Sequence, residues 1–135
     1  MAKSTGLGMT ITIDDSGGTA RAISNDVTSV DIATPRAIQD VTGVDKSAME
    51  RLQVLADASA TVNGIWNPAA NPSSHGVFST VPSSSAARTF AWALGGKTLS
   101  MEMMFNDYSL RRPNSGELTF TAPGALSDGT VPTWA

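Results

Sequence analysis

The sequence predicts a mainly β fold, a β-sandwich or barrel of about seven to eight strands with one flanking α-helix. Three observations predict it. Apolar residues alternate with Thr, Ser or Ala along most of the chain, β-branched residues are frequent, and glycine- or proline-bearing turn signals separate the alternating runs. The chain has 135 residues, 41% hydrophobic and 16% charged, with 12 glycines, 7 prolines and no cysteine. That suits a single domain, 1–135, able to bury a core without disulfides.

The first strand is Met9–Ile13, where Met9, Ile11 and Ile13 alternate with Thr10 and Thr12. It ends at Asp14-Asp15-Ser16-Gly17-Gly18, a hairpin signal, and Thr19–Ile23 returns. Val27–Ala33 alternates again after the polar break Ser24-Asn25-Asp26, and Ala37–Thr42 is a short extended piece beyond Pro35. The helix is expected at Ser47–Leu55: Asp45 or Ser47 caps it, Glu50 follows Ser47 by three, and Ala48, Met49, Leu52 and Leu55 share a face.

Ala58–Trp66 reads as a strand, and Asn67–Ser74, with two Asn-Pro steps, as a surface loop. The plainest hairpin is Arg88–Leu94, Gly95-Gly96, Lys97–Asn106. Phe90, Trp92 and Leu94 line one face of its first strand, and Leu99, Met101, Met103 and Phe105 one face of its second. Glu117–Ala122 alternates next, and Val131–Trp134 is a short last strand. The polar segments 1–8 and 67–85 are expected to be a flexible arm and a flexible loop.

The charge of −3 speaks against a protein that grips nucleic acid. No apolar run reaches the roughly 20 residues of a membrane-spanning helix, and Met1–Gly8 lacks the apolar centre of a signal peptide, so the chain is expected to stay in a cytoplasm. No residues present themselves as catalytic, cofactor-binding or metal-binding. The only histidine, His75, reads as a solvated loop residue, and no Gly-x-Ser-x-Gly elbow surrounds any serine. Asp14-Asp15 belongs to a turn, and Gly95-Gly96-Lys97-Thr98 lies between two strands without the earlier glycine of a phosphate loop. Trp66, Trp92 and Trp134 would suit sugar stacking if they clustered, but Trp92 sits in the core stripe. A soluble ligand- or sugar-binding β-domain is the alternative this leaves.

Several short motifs recur in an order similar to that of the tail tube proteins of long-tailed phages. They are Ile23-Ser24-Asn25-Asp26-Val27, Asp40-Val41-Thr42, the expected helix, Asn63-Gly64-Ile65-Trp66, the Gly-Gly hairpin, and Met101–Met104 leading to Asn106-Asp107-Tyr108. Arg111 or Arg112, Gly116-Glu117-Leu118-Thr119, Asp128-Gly129 and Pro132-Thr133-Trp134 complete the series. That family shares its fold with the inner tubes of contractile tails and of type VI secretion.

The resemblance implies a non-enzymatic virion protein, assembled in the host cytoplasm, that forms hexameric rings stacked into a tube. The genome would pass through the tube without specific binding. The implied partners are further copies of the chain and the tape-measure, tail tip and tail terminator proteins, with no cofactor and no membrane insertion. Asp31, Glu102 and Glu117, on wet strand faces, are candidates to face the lumen. Arg111, Arg112 and Trp134 are candidates for contacts between subunits.

Overall fold

The structure is a computed structural model that describes residues 3–135. Among the described residues eleven strands and one short helix follow in order: β1 (Thr10–Asp14), β2 (Ala20–Ala22), β3 (Val27–Ala33), β4 (Arg36–Asp40), β5 (Arg51–Ala56), β6 (Ser59–Ile65), α1 (Ser74–Phe78), β7 (Arg88–Leu94), β8 (Lys97–Phe105), β9 (Ser109–Arg111), β10 (Thr119–Leu126) and β11 (Thr133–Trp134). The mainly β expectation holds. The larger strand count comes from β2, β9 and β11, two or three residues each, too short for alternation to reveal.

Nine strands form one antiparallel sheet in the order β2-β1-β7-β8-β10-β6-β3, with β11 on β8 and β9 on β10. The sheet curls so that β3 comes to face β1, with Met9 and Ile11 sharing a narrow cleft with Val27 and Val30. Ile23, directly after β2, extends the β1–β2 hairpin by donating its N–H to the Ile11 carbonyl, and the Ser24 hydroxyl accepts the Ile11 N–H at 2.8 Å. Inside lie Ile11, Ile13, Val62, Phe90, Leu99, Met101, Met103, Phe105 and Phe120, the inward members of the alternating strands. The Gly95-Gly96 turn joins β7 to β8 with φ of 62° and 79°, the left-handed pair that a two-residue hairpin requires.

α1 packs its Val77 and Phe78 into the core that the curled sheet encloses. Its Phe78 ring meets Phe105, Phe120 and Tyr108 at centroid distances of 5.2, 5.6 and 5.8 Å, and Ser73 caps it by accepting the Gly76 N–H. The helix therefore lies within 67–85, the segment expected to be a flexible loop, and not at Ser47–Leu55. Ser73, Ser74, Val77 and Phe78 are all buried.

The expected helix is instead the second half of a β-hairpin, β4–β5, whose strands pair only with each other. The capping box fails because Thr42 outcompetes Ser47. Thr42 Oγ1 accepts the Glu50 N–H at 2.8 Å, and the Val41 N–H donates to the Glu50 carbonyl. With these bonds made, Arg51–Ala56 continues as a strand against Arg36–Asp40. Pairing with a neighbouring strand has overridden a helical periodicity that rested on few residues.

Candidate functional site

The β4–β5 hairpin is the most unusual surface of the molecule. Ile38, Val41, Val44, Met49, Leu52, Val54 and Leu55 are all exposed on it, Leu55 at 84% and Val44 fully. A two-stranded ribbon covered on neither face is marginal in water. Local polar bonds hold its end. Asp40 accepts from the Thr42 hydroxyl at 2.6 Å and the Thr42 N–H at 3.0 Å, and these two donors hold the Asp40 carboxyl below its ordinary range. Arg36 donates twice to the Val54 carbonyl across the ladder.

The hairpin's charges cancel: Arg36, Lys46 and Arg51 balance Asp40, Asp45 and Glu50. Lys46 sits 3.6 Å from Glu50 and 3.9 Å from Asp45, so the basic charge at the tip is met by acids on the hairpin itself.

A second apolar surface lies where β3 faces the strands β7, β8 and β11. Met9, Val30, Ile32, Thr34, Trp92, Leu99 and Trp134 line an open groove of about 310 Å³. Trp134, 60% exposed, meets the half-buried Trp92 edge-on at 6.0 Å. The three tryptophans were expected not to cluster, yet these two do. β11 pairs with β8 through Trp134 and Leu99, and β7 pairs with β8 through Trp92 and the same Leu99. The Trp92 indole N–H is directed at the Met9 sulfur, 3.0 Å away, and apart from the two indoles only Thr34 brings a polar group to the lining. The groove thus offers an apolar fit with few groups to orient a sugar's hydroxyls.

The outward face of the sheet is small and polar. Thr12, Ala91 and Ser100 lie in register across β1, β7 and β8, and Thr121 donates to the Asn63 side chain between β10 and β6 at 2.9 Å. Two of the three expected lumen-facing acids belong to this face. Glu102 is half-buried and accepts from the Thr89 hydroxyl, while Asp31 is exposed opposite Thr61. Three strand steps separate β8 from β3, or about 14 Å at ~4.8 Å a step, so the two acids are not paired.

Glu117 departs from expectation, because β10 begins at Thr119 and leaves Glu117 in the preceding turn. Ser115 donates to it at 2.9 Å, and that bond, its own backbone N–H and the nearby Arg111 charge hold its carboxyl low. Arg111 and Arg112 are exposed, Arg111 at the end of β9. They lie in a different part of the sheet from Trp134 on β11.

His75 is not a solvated loop residue. It sits in α1, half-buried between Trp66 and Tyr108, with Nδ1 3.3 Å from the Tyr108 oxygen, and burial raises the Tyr108 phenol. Asp15 accepts from the N–H groups of Gly17 and Thr19 and from Arg21 at 3.0 Å. It serves the turn, as expected. Among the described residues no cluster of three His, Cys, Asp or Glu could hold a metal ion.

Two structural residues escaped the sequence reading. Arg88, 1% exposed, donates to the carbonyls of Val77 and Asp14 and to the Thr80 hydroxyl. Its position was the signal, since it shares the inward parity of Phe90. Asp26, read as part of a polar break, is buried and accepts from Asn67 and from the Ser74 N–H at 2.8 Å.

No family model and no curated protein matches the sequence. Solved structures do match in fold. A chain in "Virion of native gene transfer agent (GTA) particle" superposes with a TM-score of 0.78 at 14% identity, covering 98% of this chain and 99% of that one. The same values hold for a chain in "Tail of empty GTA particle computed with helical refinement, C6 symmetry". A chain in the baseplate of the anti-feeding prophage, 6-fold symmetrised, matches with a TM-score of 0.66 at 9% identity over 100% of this chain and 97% of that one. The fold is therefore the one found in these tail and baseplate assemblies, shared end to end.

Proposed function

We propose that the chain is a structural tail protein whose copies associate into hexameric rings, stacked into a tube through which a genome passes. The observation that carries this is the end-to-end match, at TM-score 0.78, to a chain of a C6-symmetric helical tail. The uncovered apolar hairpin supports it independently, since a chain meant to stay alone would bury or replace those side chains. On this reading residues 1–135 act as one tail tube domain in a virion or virion-like particle. Its partners are further copies, then the tape-measure, tail tip and tail terminator proteins, and it carries out no catalysis.

The small, polar outward face suits a bore lining, with Asp31 and Glu102, and Glu117 in the turn before β10, as the acids that would keep a sliding polyanion unheld. On this reading Arg111, Arg112 and Trp134 would make contacts between subunits. Segments that order on stacking are expected in Lys3–Gly8, which is exposed, and in the exposed parts of 67–85 flanking α1. Met1 and Ala2 of the expected arm lie outside the described residues.

A sugar-binding role is disfavoured by the groove itself, in which the two indoles meet edge-on and Thr34 is the one polar side chain besides them. Negative-stain microscopy of the purified protein across a concentration series tests the proposal. Rings or hollow tubes are the expected result. A compact monomer at every concentration, unmoved by other tail proteins, would overturn it.

A further inference from the structure

We propose that the distal end of the β4–β5 hairpin of one copy seats in the Trp92–Trp134 groove of the next, making a head-to-tail joint between subunits. The proposal rests on the self-association argued above and specifies the surfaces that perform it.

The two surfaces match in chemistry. Val44, Met49 and Leu52 are exposed at the finger end beside the mutually paired Asp45, Lys46 and Glu50, and the groove, with no charged side chain in its lining, has room for more than one aliphatic group. The hairpin as a whole is neutral, so it meets a chain of charge −3 without like-charge repulsion. A polyanion or an anionic lipid surface would find no net positive charge on it.

The occupant is a second copy for a geometric reason. Thr34 lines the groove and Arg36 opens β4, leaving only Pro35 between groove and hairpin. The finger therefore departs from the groove wall of its own chain, where its apolar residues remain exposed. Each copy then carries one finger and one groove at different places. Such a heterologous pair repeats from copy to copy and closes a ring or extends a stack.

The test uses the full chain in three forms: wild type, a finger variant (Val44→Asp with Leu52→Asp) and a groove variant (Trp134→Glu). All altered positions are exposed, and circular dichroism confirms folding. Thr34→Lys, also exposed, serves as a second groove variant. Association is followed by light scattering after size exclusion, and burial of the groove by tryptophan emission, since the hairpin contains no tryptophan.

The expected result is that wild type assembles and that each variant alone is monomeric. An equimolar mixture of finger and groove variants should stop at a one-to-one pair with blue-shifted emission, because one finger and one groove survive in it. Variants that assemble as wild type does, or a mixture that stays monomeric while wild type assembles, overturn the joint and leave the tail reading standing. If removal of residues 1–8 from wild type shifts the emission to the red without changing assembly, the arm covers the groove and the joint is again overturned. Wild type that never assembles sinks the tail reading itself.

Discussion

Arg88 Nη1 donates to the Val77 carbonyl at 2.8 Å, a bond that ties the one helix to the start of β7 from inside the protein. The guanidinium is almost wholly removed from water and forms no ion pair within contact range among the described residues. Burial lowers its pKa, partly offset by the more distant charges of Asp15 and Asp14. Its stabilising role is to satisfy two carbonyls and a hydroxyl that would otherwise be orphaned.

Replacing it tests that role. Arg88→Met leaves those acceptors unpaired and is expected to cost about 3 kcal/mol, read as a lower urea midpoint with an unchanged slope. A loss under about 0.5 kcal/mol would show that water reaches the site.

Gly64→Ala should destabilise by about 2 kcal/mol. A Cβ there would stand 2.2 Å from the Asp26 carbonyl oxygen and 2.7 Å from the Phe120 ring, and the Asp26 carbonyl is held by the Ile65 N–H. Gly124→Ala, facing the Phe105 ring edge at 2.9 Å, should be milder because a side-chain ring moves more readily than backbone. The order of the two melting temperatures checks the argument.

Asp15 predicts a pH dependence. Its carboxyl is held below the ordinary aspartate range, first by the Thr19 N–H and then by Arg21. A carboxylate with a depressed pKa contributes stability above its unfolded pKa and loses it as pH falls through the folded value. Asp15→Asn should therefore be less stable than wild type at neutral pH, with the gap closing once the solution is acidic enough to protonate Asp15. Urea titrations at neutral pH and at successively lower pH would show it, and a gap that stays constant would refute it.

Deleting residues 1–8 should leave rings or monomers and impair stacking. Tubes of normal length from the truncated protein, measured by electron microscopy, would remove the arm from the assembly.

What the sequence made legible was mostly what periodicity controls. The inward faces of β7 and β8 and the hairpin turns at Gly17-Gly18 and Gly95-Gly96 follow from alternation and from glycine, and both places show positive φ at glycine. The misplaced helix shows the limit. Residues 47–55 satisfy a helical pattern locally, and only the presence of Arg36–Asp40 beside them, with Thr42 taking the Glu50 N–H, decides for a strand. Conversely α1 is five residues long, one turn set by a Ser cap and by the burial of Phe78, with no amphipathic repeat to announce it. The groove was hidden for a related reason. Trp92 and Trp134 are distant in sequence and meet because both flank Leu99 of β8.

The uncovered hairpin also makes temperature a control of assembly. If association transfers its leucines, valines and methionine from water to a neighbour, it proceeds with a negative change in heat capacity, and the driving force weakens on cooling. Tubes built on such a joint would loosen in the cold and re-form on warming, the opposite of what an assembly held chiefly by ion pairs and hydrogen bonds would do.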